Sequence, residues 1–205
     1  MVSDPHDRAD PVAPVVPSST GGGTPADEPG PGDGGGGRRL ILLRHAKSQW
    51  PDGVDDVDRP LAERGVADAT AAGPVLAGLT AGSPAVVLCS PALRTRQTWR
   101  LIAAALTDPP PIRFEPVIYG ADVTEVLELL RATADDVPSV LLIGHEPTMS
   151  GTADALAGPD STATALAQIR TKYPTSAMAV FALAGPWSAL APRSAVLEQF
   201  LVPRG

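Results

Sequence analysis

Three unbroken apolar runs punctuate the chain: Leu40–Leu43, Ala85–Cys89 and the stretch within Ser139–Ile143. Runs this short, apolar at every position rather than at alternate ones, predict strands buried on both faces. Ala177–Leu183 and Ala195–Val202 predict two more strands, with Pro186 and Pro192 between them, and Ile112–Phe114 a short one after the break at Pro109–Pro111. Helical spacing fills the intervals. Ala62–Leu79 places Val66, Ala69, Leu76 and Leu79 on one face, with Pro74 expected to kink or split it. A second helix runs from about Ala92 to Leu106. A third runs to Arg131, opened by Asp122 and Glu125 in capping-box spacing, and a fourth covers Thr148–Leu156. Strands alternating with helices predict an α/β fold, a three-layer sandwich around a mostly parallel central sheet.

The first 37 residues break this pattern. Nine are glycine and seven proline, and six acids face a single base, a net of −5. Such a segment buries too little apolar surface to offset the chain entropy lost on ordering. Residues 1–37 are therefore expected to be a disordered acidic tail, and 38–205 a single domain. Of the total charge of −7, only −2 is left for that domain, so no basic footprint for nucleic acid is expected. No stretch reaches the roughly 20 apolar residues of a membrane helix. The first residues lack a signal-peptide pattern, and a cytoplasmic protein without a membrane partner is expected. The single cysteine, Cys89, lies within an apolar run and is read as a buried structural thiol.

Chemistry collects where the buried runs end. Leu40–Leu43 leads into Arg44-His45, Val86–Cys89 into Ser90-Pro91-Ala92-Leu93-Arg94, and Leu141–Ile143 into Gly144-His145. If these strands are parallel, the three endings share one edge of the sheet, where α/β folds bind ligands. Two histidines without further ligand residues make a poor metal set. Arginine with histidine suits phosphate instead. Guanidinium offers a planar fork of donors to phosphate oxygens, and a neutral imidazole is a competent nucleophile.

These segments resemble a known family. Leu43-Arg44-His45-Ala46-Lys47-Ser48 is similar to the Arg-His-Gly signature of the histidine phosphatase (phosphoglycerate mutase-like) superfamily, with Ala46 in place of the usual glycine. Ser90–Thr98 resembles its second arginine motif and Gly144-His145-Glu146-Pro147 its second histidine motif. Asp58–Gly65 resembles the segment that follows the first motif in the short, SixA-type branch. The resemblance implies that His45 takes a phosphoryl group, that Arg44 and Arg94 clamp it, and that His145 stabilises the transition state. It implies no metal or other cofactor. Ser48 and Arg59 are further candidates for substrate binding; for Arg59 and Arg64 the alternative is a salt bridge at the helix start. Trp50 belongs either to the pocket rim or to the packing of its loop, and Lys47 adds charge or is solvated. Glu115 is the candidate general acid, with Glu146 as the alternative; Glu146 stands where that branch often has asparagine.

The substrate implied is a phosphorylated protein or a small phosphorylated metabolite. Phosphohistidine is favoured because only about thirty residues separate the helix after Arg94 from the strand before His145, which leaves no room for a long covering insertion. The competing readings are a metabolite phosphomonoesterase of the same family and a phospho-ligand binding module without turnover.

Overall fold

The computed structural model describes residues 37–82 and 84–205. The expected tail lies outside them but for Gly37. Six strands form one sheet: β1 (Arg38–Arg44), β2 (Val86–Cys89), β3 (Ile112–Phe114), β4 (Ser139–Gly144), β5 (Met178–Leu183) and β6 (Ala195–Leu201). Their order across the sheet is β3-β2-β4-β1-β5-β6. The first four are mutually parallel, while β5 runs antiparallel to β1 and β6 antiparallel to β5. The sheet is thus mostly parallel, with an antiparallel flank.

Alternation along each strand sorts side chains onto two faces. Leu40, Leu42, Val140 and Leu142 point into one apolar cluster; Ile41, Leu43, Leu141 and Ile143 point into the other. Helices cover both. α1 (Glu63–Leu79) and α2 (Leu93–Ala103) pack on the second face through Leu76, Trp99 and Ile102. α3 (Val123–Arg131), α4 (Thr148–Leu156) and α5 (Ala163–Thr171) pack on the first through Val126, Leu130, Met149 and Ile169. This is the three-layer sandwich expected from the pattern.

Three local outcomes differ from the pattern reading. α1 is one continuous helix with Pro74 inside it. Proline removes the N–H that would reach the carbonyl of Thr70, but both residues are exposed, so that carbonyl is left to solvent. Val66, assigned to the apolar face, is exposed, while Ala69 and Leu76 are buried. α5 falls in a stretch to which the apolar pattern assigns no element. The capping box of α3 is present in both directions: Asp122 Oδ1 accepts from the Glu125 N–H, and Glu125 Oε2 accepts from the Asp122 N–H. Cys89 is fully buried, and burial pushes its thiol up to about 12.

Candidate active site

Parallel pairing aligns the strand ends. Arg44 is level with Gly144 and Cys89 with Ile143. The next backbone N–H groups continue the ladder: His45 N–H donates to Gly144 O and Ser90 N–H to Ile143 O, each at 3.1 Å. Arg44, His45, Ser90 and His145 therefore emerge side by side at the carboxyl edge. Arg94, in the first turn of α2, reaches the same place. A cleft of about 560 Å³ opens there, lined among others by Arg44, His45, Ser48, Arg59, Arg94 and His145.

The two imidazoles stand with ring centroids 5.2 Å apart. Both are buried, yet each is held in one tautomer by its neighbours. His45 Nδ1 lies 2.7 Å from its neighbour's carbonyl, Ala46 O. A carbonyl only accepts, so Nδ1 carries the proton and Nε2 keeps its lone pair. His145 Nδ1 lies 3.3 Å from Arg94 Nη2, which only donates. The proton of His145 therefore sits on Nε2, 2.7 Å from Ser90 Oγ. Burial, together with the positive charge of Arg94 and Arg44, lowers His45 to about 3. Burial and then Arg94 lower His145 to about 4. Both rings are neutral at pH 7.

The arginines are fixed from behind. Arg44 Nη1 donates to Tyr173 O at 2.7 Å, while its buried Nε has no partner in the protein. Burial lowers the Arg44 pKa. Arg59 donates through Nε to Gln49 O, through Nη2 to Ser48 Oγ and through Nη1 to Asp56 Oδ1, at 2.6–2.9 Å. Its guanidinium lies 3.1 Å from the ring centre of Trp50, which is itself 74% exposed. Arg59 thus belongs to the cleft, Trp50 to its rim. Lys47 also lines it, whereas Arg64 is exposed and lies 3.8 Å from the buried Asp68.

Glu115 does not join them. It precedes the 3-10 turn Pro116–Tyr119, lines no part of the cleft, and accepts from Arg113 at 2.8 Å. Expected as the general acid, it is turned along its own strand onto a neighbour two residues away. Glu146 does line the cleft, but its carboxylate folds onto α4: Oε1 accepts from Ser150 N–H at 3.0 Å and Oε2 from the Ser150 hydroxyl at 2.7 Å.

A model of the histidine phosphatase superfamily (branch 1) matches residues 40–118. A solved structure from Nakamurella multipartitia, assigned as the phosphohistidine phosphatase SixA, is 34% identical and superposes with TM-score 0.71, covering 81% of this chain and 96% of that one. The chain belongs to the histidine phosphatase superfamily. It is also 45% identical over 165 residues to an uncharacterized protein of Mycobacterium tuberculosis (strain H37Rv), covering 79% of this chain and 100% of the relative. The protein histidine phosphatase SixA, solved with tungstate, is similar at 26% identity with TM-score 0.65, over 80% of this chain and 97% of that chain.

Within this histidine phosphatase, sequence reasoning passed over three residues of the site. Asp56 and Tyr119 line the cleft, and Ser90 holds His145. Asp56 lies in the acidic stretch Asp55-Asp56-Val57-Asp58, which reads as a solvated loop. Tyr119 lies 63 residues away in a 3-10 turn. Only Ser90, directly after a buried run, carried a signal that could have been used. Among the described residues, no group of three or more His, Cys, Asp or Glu side chains is gathered to hold a metal ion, and no helix is long and apolar enough to cross a membrane.

Proposed function

We propose that this phosphatase hydrolyses phosphohistidine, through a phosphoryl intermediate on His45. Nε2 of His45, unprotonated and facing the cleft, attacks phosphorus. The bond from phosphorus to the leaving nitrogen breaks as the new P–N bond forms. Arg44 offers the phosphoryl oxygens its free Nη hydrogens, and Arg94 and Arg59 add the N–H groups they have left. His145 stays neutral, with Nε2–H on Ser90 Oγ and its Nδ1 lone pair on Arg94 Nη2, and it stabilises the transition state by holding that guanidinium beside the phosphoryl oxygens. Water then attacks the His45 adduct, releasing inorganic phosphate and restoring the neutral ring.

The observation that carries the choice of substrate is the state of the two carboxylates in the cleft. Asp56 is hydrogen-bonded by Arg59, Tyr119 and Arg94, which hold its carboxyl far below the usual carboxylate range. Glu146 is bonded through both oxygens to Ser150. An alkoxide leaving group needs a proton from a nearby acid. An imidazole leaves far more readily and draws its proton from solvent at the open mouth. Likeness to SixA structures supports the same reading.

The test is hydrolysis of a phosphohistidine peptide and of para-nitrophenyl phosphate, with EDTA present. The wild type is expected to prefer the peptide, and His45→Ala to lose at least about 10³-fold in kcat. Equal or better turnover of alkyl phosphate metabolites would move the assignment to a phosphomonoesterase. No turnover of any phosphorylated compound by the folded wild type would leave a binding module.

A further inference from the structure

One carboxylate organises the rim of the cleft. Asp56 stands on the 3-10 turn Asp56–Asp58, between β1 and α1. Its Oδ1 accepts from Arg59 Nη1 at 2.6 Å. Its Oδ2 accepts from Arg94 Nη2 at 3.0 Å and from the Tyr119 hydroxyl at 2.7 Å. Its backbone carbonyl accepts from Arg94 Nη1 at 2.6 Å. Four donors, on residues 3, 38 and 63 positions away, thus meet on one residue. The two arginine side chains are only 7% exposed, although the carboxylate itself is 46% exposed. An ordinary surface ion pair has one loose partner and contributes little. Here two buried guanidiniums are held by the same anion.

A donor count shows what this does. Each guanidinium has five N–H groups in one plane. Arg94 uses two on Asp56 and one on His145 Nδ1, which leaves Nε–H and one hydrogen on Nη1. Arg59 uses one each on Asp56, Gln49 and Ser48, which leaves two. The bonds to Asp56 fix both planes and so decide where the remaining donors point. They also hold two like charges beside Arg44 and Lys47 in one small cleft, where without a shared anion the long side chains would spread toward water.

We propose that Asp56 is a positioning residue for phosphoryl transfer. It holds Arg94 and Arg59 in the planes from which their free N–H groups meet the phosphoryl oxygens, and its bond to Tyr119 ties a second rim segment to the pair. Asp56 itself touches no reacting atom. This rests on the reading that the phosphoryl group binds among Arg44, Arg94 and His45. A carboxylate on two arginines has a second conceivable role, as an internal anion that the substrate displaces, and that role predicts an effect of opposite sign.

The experiment measures tungstate and inorganic phosphate binding by calorimetry, alongside steady-state kinetics, for the wild type, Asp56→Asn, Asp56→Glu and Tyr119→Phe. Asp56→Asn keeps the shape and removes the charge. It is expected to weaken tungstate binding about tenfold and lower kcat about tenfold or more, since small misplacements of positioning groups cost up to about a hundredfold. Tyr119→Phe, which removes one of the four bonds, is expected to change either value by only about two- to threefold. Asp56→Glu is expected to recover part of the loss, which a purely structural role would not produce. Tighter tungstate binding by Asp56→Asn would overturn the proposal in favour of the displaced anion. Unchanged binding and kcat in a folded Asp56→Asn would overturn it outright. If the wild type binds neither oxyanion, the reading of the cleft as a phosphate site fails first and the role of Asp56 falls with it.

Discussion

Above pH 6.5, His45 and His145 are neutral in the folded and the unfolded chain alike, so neither makes stability depend on pH there. Below that, the unfolded chain takes up protons that the folded one refuses until about pH 4 for His145 and about pH 3 for His45. Stability therefore falls as the pH drops from 6.5 toward those values, by on the order of 2 kcal/mol per histidine at pH 5. His45→Gln removes one of these groups. Urea unfolding is expected to show the variant gaining about that much on the wild type between pH 7.5 and pH 5. The same depression keeps His45, the proposed nucleophile, unprotonated, so the acid limb of kcat/KM is expected near pH 4 or below rather than near 6.5. A rate profile with a limb at 6.5 would mean that His45 is solvated and not held as described. At this scale the sequence was legible wherever a cleft residue follows a buried run, as Arg44, His45 and His145 do. It was misleading for Glu115, the candidate general acid, whose side chain is captured by Arg113 outside the cleft. It was silent on Asp56, because nothing in an acidic loop reveals which distant arginines it will meet.

Strands and helices set these residues by simple rules, and the closest fit among them is at the start of α1. The segment after His45 doubles back on the chain before α1: Ser48 forms an isolated antiparallel bridge with Leu61, Gln49 N–H donates to Pro60 O, and Ala62 N–H donates to Lys47 O. Gly65 then passes so close that a Cβ there would lie 2.0 Å from Lys47 O. Backbone cannot yield as a flexible side chain can, so Gly65→Ala must push apart the loop that carries Lys47, Ser48 and Asp56. A loss of about 2–4 kcal/mol in unfolding free energy is expected, in the range of overpacked core substitutions and above, together with a raised KM. Chemical denaturation and kinetics check the two halves separately. The strands were readable because β1, β2 and β4 each carry four consecutive apolar residues, which a doubly covered strand requires. α5 was not readable: Ala163–Thr171 buries only Ala165 and Ile169, too thin a stripe to stand out against its polar neighbours.

The whole molecule divides its labour between two edges of one sheet. All of the residues assigned to chemistry lie at the carboxyl edge of β1, β2 and β4. The opposite edge is held by β1's first residues, where Arg38 Nε donates to Asp135 O and Arg39 Nη1 donates to Leu79 O. Three layers around a mostly parallel sheet were legible from the alternation of runs and helical stretches. The antiparallel flank was not, since pairing direction leaves no mark in an apolar run. Residues 1–36 carry none of the groups assigned to the cleft, and an enzyme starting at Gly37 is expected to keep kcat/KM within about twofold of the full chain, measured on the same phosphohistidine peptide.

That placement of Arg38 has a practical side. The chain enters β1 there and reaches His45 only after seven residues of extended strand, about 23 Å along the sheet. A surface, bead or fused carrier joined ahead of Arg38 starts at the edge away from the cleft. A catalyst anchored in this way presents its mouth outward, so even a large phosphorylated protein can approach without meeting the support.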